Sequence, residues 1–147
     1  MDALPLMTLE QFRANAGFPV DDLIRQMKNE LGVAKCRVMF DNPNAQAMSR
    51  HGPDGVLEIH LPTLDTILRQ RPGLSREEAI AKIKAQVAEE LCHGVYHETN
   101  HDDRVVSCTI KEMREHMNDF EFNSPYIQEK VVRLRGAAAV VSGMPLR

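Results

Sequence analysis

Aromatic residues are scarce in this chain, which has no tryptophan, two tyrosines and five phenylalanines among 147 residues. So few rings leave no evident surface on which the bases of RNA could stack. The net charge is −3, so no overall basic field attracts nucleic acid. The scarcity of aromatic residues and the negative net charge both favour a peptide or protein substrate over RNA. A local basic group remains after Gln128, formed by Lys130, Arg133, Arg135 and Arg147.

Cysteine is also scarce, and the three residues Cys36, Cys92 and Cys108 form no CxxC pair. An odd number without that spacing is more typical of a reduced cytoplasmic protein than of a disulfide scaffold. The N-terminal residues contain no apolar run of signal-peptide length, and the apolar segment 136–144 is too short to cross a bilayer. We therefore expect a cytoplasmic protein with no membrane segment.

The length and a hydrophobic content of 43% predict a single domain over residues 1–147 with a core of its own. The hydrophobic periodicity predicts an α+β fold, in which a small sheet packs on a long helix and further helices follow. The predicted helices cover 8–16, 20–31, 64–70, 75–100, 111–120 and a last segment from Ser124-Pro125. The predicted strands cover 36–40, 56–61 and 105–110. In the second strand, alternation predicts one buried face and places His60 at the surface or lining a site.

The long helix should begin at Ser75, because Ser75 and Glu78 have the spacing of a capping box. Apolar residues then recur at the helical period, namely Ile80, Ile83, Val87 and Leu91. This stripe places His93 and His97 at the edge of the buried face. The opposite, solvated face would carry Lys82, Gln86 and Glu89.

The segment His93–Asp103, with the sequence HGVYHETNHDD, contains three histidines at intervals of four residues. Two imidazoles one helical turn apart can bind one divalent ion from a single helix. Asn100 tolerates the left-handed conformation that ends a helix, so the chain is expected to turn there. Asp103 would then be carried back over the metal as third ligand. On an unbroken helix, His93 and His101 would lie too far apart to share one ion.

The spacing of His93, Gly94, His97 and the third ligand resembles the HGxxHxxGxxH signature of the bacterial zinc-dependent rRNA-maturation endoribonucleases. It also resembles the wider zincin group, whose peptidase members have Glu where this chain has Gly94. The resemblance covers about 56–103, with Asn100 in place of Gly and Asp103 in place of the third His. It implies a zincin-like fold and a zinc ion. Some zincin peptidases use an aspartate as third ligand.

Two other metal arrangements are compatible with the sequence. His97-Glu98-Thr99-Asn100-His101 is a literal HExxH, in which Glu98 would be the general base. Its third ligand would come from Glu112, Glu115 or His116. Alternatively, Glu90 and His93 could form half of a di-metal site, although no second ExxH is found. A histidine-rich helix end with no specific metal is the remaining interpretation.

We therefore expect a zinc-dependent hydrolase in which His93, His97 and Asp103 or His101 hold Zn²⁺. Such an ion would lower the pKa of a bound water, and Glu98 or Glu90 would serve as the general base. A metallopeptidase is favoured, with a metal-dependent endoribonuclease as the first alternative. A non-enzymatic interaction domain that keeps the scaffold is the second alternative.

Overall fold

The computed structural model describes residues 20–40, 49–51, 56–96 and 100–141. These residues form six helices and three strands, which makes the fold α+β as predicted. The helices are α1 (Val20–Leu31), α2 (Leu64–Gln70), α3 (Arg76–Tyr96), α4 (Asp103–His116), α5 (Asp119–Asn123) and α6 (Pro125–Val141). The strands are β1 (Cys36–Phe40), β2 (Ser49–His51) and β3 (Leu57–Leu61). The helix predicted over 8–16 lies outside the described residues.

The three strands form one mixed sheet with β3 in the centre. β1 runs parallel to β3, with Cys36 opposite Leu57, and β2 runs antiparallel to it. All five residues of β3 are buried, so the prediction that only one face is buried is wrong. His60 was predicted to be at the surface or lining a site, and its burial excludes the surface. The polar residue Glu58 is buried beside Arg37, whose Nη1 donates to its Oε2 at 2.8 Å. A charge in the middle of the sheet is thus paired with an opposite charge.

Helix α3 is the centre of the molecule, because it contacts every other helix and both β2 and β3. Its start confirms the predicted capping box: the Glu78 amide donates to Ser75 Oγ, and the Ser75 amide donates to the Glu78 carboxylate, each at 3.1 Å. The apolar residues Ile83, Val87 and Leu91 are completely buried in the core. The predicted apolar stripe is therefore the face on which the rest of the protein packs.

Gly94 lies where α3 crosses the sheet. A Cβ built on this residue would come within 2.5 Å of Leu57 Cδ2 on β3. Leu57 is itself buried, so it has little room to move away. Gly94 therefore permits a close approach of helix and strand next to His93.

The segment 105–110 was predicted to be a strand and is helical, within α4. β-branched residues misled the prediction, but Val105, Val106, Thr109 and Ile110 are buried at helical spacing. The Asp102 side chain caps the first turn by accepting from the Val105 amide at 3.0 Å. A good N-cap and burial against α3 therefore outweigh the strand preference.

The last helix, α6, begins at Pro125 as predicted and continues through Gly136 to Val141. It packs against α3, α4 and α5. Among the described residues, no helix combines the length and the apolar composition needed to cross a bilayer.

Candidate metal centre

Near the C-terminal end of α3, Glu89 and His93 lie one turn apart on the same face. The helix ends at Tyr96, and the chain returns so that His101, just before α4, lies over this face. We call Glu89, His93 and His101 the Glu89 cluster. One ligand atom from each of these residues lies within 4.8 Å of the other two, so the group could hold a metal ion.

The contacts of the Glu89 cluster centre on one carboxylate. Glu89 Oε1 lies 2.7 Å from His101 Nε2 and 3.9 Å from His93 Nε2. The two imidazole rings meet edge to face, with centroids 4.8 Å apart. The other carboxylate oxygen, Oε2, accepts from Lys130 Nζ of α6 at 2.6 Å. The Glu89 side chain is only 12% exposed and that of His93 only 10%, so these contacts are largely shielded from water.

The charge of Glu89 is maintained by its neighbours. Burial acts to raise the pKa of this carboxyl group, but the contacts with His93, Lys130 and His101 lower it well below the ordinary value of 4.5. Glu89 is therefore ionised at neutral pH, which is the state in which a carboxylate can bind a cation.

The spacing of the ligand atoms is compatible with one zinc ion. Ligand atoms at about 2.0–2.1 Å from a zinc ion can be at most about 4.2 Å apart. The two distances from Glu89 Oε1, 2.7 and 3.9 Å, lie within that limit. These distances lie on either side of the spacing of about 3.3 Å between tetrahedral zinc ligands, so small side-chain shifts would bring Oε1 and both imidazoles onto one ion while Lys130 keeps its contact with Oε2.

His101, which was the alternative third ligand, lies beside His93 in the Glu89 cluster. The argument against a site shared by His93 and His101 assumed an unbroken helix, and α3 ends before His101. Whether Asp103 completes a site with His93 and His97 stays a prediction, because His97 lies outside the described residues. Asp103 is an exposed residue in the first turn of α4, because Asp102 before it acts as the N-cap. Among the described residues, Asp103 belongs to neither group that could hold a metal.

The other predicted site residues are placed as follows. His97 and Glu98 lie outside the described residues, so their roles as ligand and base stay predictions. Glu90 is buried, accepts a hydrogen bond from Gln86 Nε2 at 3.2 Å, and is not part of the Glu89 cluster.

Two residues of the site were missed by the sequence analysis. Glu89 was assigned to the solvated face of the helix, but α4 and α6 cover that side as well. Its position four residues before His93 was the signal that could have identified it. Lys130 was counted in a basic group for nucleic acid. It is only 17% exposed and is paired with Glu89, so it does not contribute to such a surface.

Next to His93, Cys92 forms a disulfide with Cys108 that joins α3 to α4. Cys92 is fully buried, and its pairing differs from the expectation of reduced cysteines. Only the packing of the two helices brings these residues together, with their Cα atoms 5.9 Å apart. The third cysteine, Cys36, is free.

A second group of possible ligands contains Glu30, Glu112, Glu115 and His116, which we call the Glu112 cluster. His116 Nε2 lies 3.2 Å from Glu30 Oε2 and 3.3 Å from Glu112 Oε2. Burial and the negative charge of Glu30 raise the pKa of Glu112. Glu112, Glu115 and His116 were proposed as ligands to complete an HExxH site with His101, but they group with Glu30 instead.

Two surface grooves border α4. The larger, of about 480 Å³, lies between α4 and α6 and is lined by Asp103, Lys111, Arg114 and Arg135 among others. The second, of about 460 Å³, is lined by Tyr96, Arg104 and Glu112 among others. Neither groove is lined by the Glu89 cluster. The second groove reaches the Glu112 cluster through Glu112.

Comparisons with protein-family models, with curated proteins and with solved structures find no match to this chain.

Proposed function

We propose that this protein is a zinc-dependent hydrolase whose Zn²⁺ is held by Glu89, His93 and His101. The observation that carries the proposal is the convergence of three ligand atoms from two separate segments at a largely buried place. Two imidazoles and one glutamate form a ligand set that catalytic zinc sites use, with a fourth position left for water or substrate. Zinc bound there would lower the pKa of such a water toward neutrality.

The residues around the cluster support this use. Lys130 holds Glu89 Oε2, so that Oε1 faces the two imidazoles. Partners of this kind orient the ligands of metal sites and keep them in the right protonation state. The general base remains a prediction from the sequence, with Glu98 favoured over Glu90 because Glu90 is buried and bonded to Gln86.

A zincin-like architecture is part of the proposal. β3, α2 and the histidine-bearing helix α3 follow one another within the segment that the resemblance covers, and the sheet packs on α3 through β2 and β3. Peptide hydrolysis remains favoured over RNA cleavage. Burial of Lys130 removes one cation from the basic group, and the net charge is negative.

Metal analysis of protein purified without a histidine tag, refolded with zinc and dialysed, tests the site. We expect about one zinc per chain in the wild type, and loss of that zinc in Glu89→Ala, His93→Ala and His101→Ala. Asp103→Ala is the matched control and should keep its zinc, because Asp103 lies outside the cluster. Competition with a chelator at fixed pH would rank the variants.

The zinc site and the hydrolase activity can be disproved separately. A wild type without zinc would overturn the site, and loss of zinc in Asp103→Ala with retention in His101→Ala would move the third ligand back to Asp103.

Zinc-loaded protein is then incubated with unfolded protein and with RNA. We expect peptide cleavage that disappears in His93→Ala. Absence of cleavage of both substrates would overturn the hydrolase and leave the zinc site standing.

A further inference from the structure

The Glu112 cluster lies away from the proposed zinc site and joins two helices that are far apart in sequence. Glu112 and His116 are one turn apart on α4, with Glu115 beside them, and Glu30 is in the last turn of α1. The side chains of Glu112 and His116 are 1% and 7% exposed, whereas those of Glu30 and Glu115 are 42% and 45% exposed. The group thus has a buried inner half and an outer half that solvent reaches.

In the inner half, the carboxylate oxygen Oε2 of Glu112 has no hydrogen-bond partner. This oxygen is fully buried. The nearest candidate donor, His116 Nε2, already faces Glu30 Oε2 at 3.2 Å, and one N–H group serves one acceptor well. Lys111 approaches Glu112 only through the other oxygen, Oε1, at 3.9 Å. A buried carboxylate oxygen without a hydrogen bond calls for an explanation, and a bound cation is one that this group of ligands can supply.

The geometry around that atom matches a coordinated ion. Neighbouring ligands of an octahedral ion such as Mn²⁺, with bonds of about 2.1–2.2 Å, are separated by about 3 Å. The distances from His116 Nε2 to Glu30 Oε2 and to Glu112 Oε2 are 3.2 and 3.3 Å. Each of these two pairs is therefore spaced as neighbouring ligands of one ion, and Glu115 belongs to the same group.

We infer that the Glu112 cluster is a second divalent-cation site, in which Glu112 and His116 of α4 and Glu30 of α1 bind one transition-metal ion. Three carboxylates and one imidazole favour a harder ion than the two imidazoles of the Glu89 cluster do, and Mn²⁺ accepts both kinds of ligand. The ion would enter from the exposed side, where Glu30 and Glu115 lie. It would join the end of α1 to the end of α4.

Mn²⁺ titration followed by electron paramagnetic resonance tests this inference on the full chain after removal of metals. The signal of free Mn²⁺ disappears on binding, so it reports occupancy without any assay of activity. We expect at least tenfold weaker binding in Glu112→Gln, His116→Ala and Glu30→Gln than in the wild type. Glu129→Gln, an exposed carboxylate on α6, is the matched control and should bind like the wild type.

His93→Ala separates this site from the proposed zinc site and should keep the Mn²⁺ binding. Loss of Mn²⁺ binding in His93→Ala, with retention in Glu30→Gln and His116→Ala, would overturn the inference and place the ion in the Glu89 cluster. Equal binding in all variants, or no binding by the wild type, would also overturn it. Should His116→Ala fail to fold by circular dichroism, Glu30→Gln decides, because Glu30 is a surface residue.

Discussion

A single carboxylate, Glu89, connects three parts of the molecule. It lies on α3 and contacts His93 on the same helix, His101 in the following connection and Lys130 on α6. Burial disfavours the ionised carboxylate, whereas each of these contacts favours it. The contacts outweigh burial, so the pKa of Glu89 is lowered. A carboxylate in such surroundings is ionised in the folded protein and stabilises it.

The lowered pKa of Glu89 predicts a loss of stability in acid. A carboxyl group with a lower pKa in the folded state contributes its full stabilisation above its ordinary pKa of 4.5, and the contribution is lost as the pH falls below that value. In chelator-treated protein, we expect the unfolding free energy of the wild type to fall between pH 7 and pH 3 by at least about 1 kcal/mol more than that of Glu89→Gln. Urea denaturation at several pH values measures this.

The control for the acid experiment is Glu77→Gln, which removes an exposed carboxylate from the same helix. It should lose stability in parallel with the wild type, because an exposed carboxylate has little difference between its folded and unfolded surroundings. Equal slopes for the wild type and Glu89→Gln would contradict the assignment.

At the scale of elements, the packing of α3 on the sheet determines which residue can follow His93. Zincin peptidases have Glu at the position of Gly94, and this chain has no space for it, because a Cβ would already come within 2.5 Å of Leu57. A carboxylate there would also lack water. A glutamate at position 94 is therefore not available as a general base on this scaffold.

Gly94→Glu should consequently destabilise the protein, by about 3 kcal/mol or more, through overpacking against Leu57 and burial of a charge. Thermal and urea denaturation measure the effect. Gly73→Ala is the control, since a Cβ at Gly73 meets nothing within 4 Å, and its stability should stay within about 0.5 kcal/mol of the wild type. A Gly94→Glu protein as stable as the wild type would show that α3 can move away from β3.

At the scale of the whole molecule, α3 is the element that packs against all the other helices and against β2 and β3. The Glu89 cluster joins α3 to the 100–102 connection and, through Lys130, to α6. The Glu112 cluster joins α4 to α1. The Cys92–Cys108 disulfide joins α3 to α4 between them. A ligand that binds only the assembled cluster must stabilise all of these contacts together.

Zinc should therefore stabilise the whole protein and not one loop. At a free zinc concentration 100 times the dissociation constant, the unfolding free energy should rise by about 2.7 kcal/mol. The increase should be absent in His101→Ala and unchanged in Glu77→Gln, as measured by urea denaturation with and without zinc. Equal stabilisation of His101→Ala would place the stabilising zinc elsewhere in the protein.

Periodicity and local capping determined much of this protein from sequence alone. They identified α1, β1, β3, the start of α3 at its capping box and the start of α6 at Pro125, because each of these depends on neighbouring residues. The same local reasoning singled out His93 and His101 as candidate metal ligands. It failed for 105–110, where burial against α3 outweighed the strand preference of β-branched residues.

Only the tertiary structure decided which ligands meet. Glu89 and His101 are twelve residues apart and Lys130 is on another helix, so their contacts depend on how the chain returns over α3 after Tyr96. That His101 lies beside Glu89, while Asp103 is in the first turn of α4, follows from where α4 begins. The pairing of Cys92 with Cys108, and of Glu30 with His116, follows from the packing of helices. A one-dimensional pattern contains no measure of these distances, because they are set by the shape of the whole core.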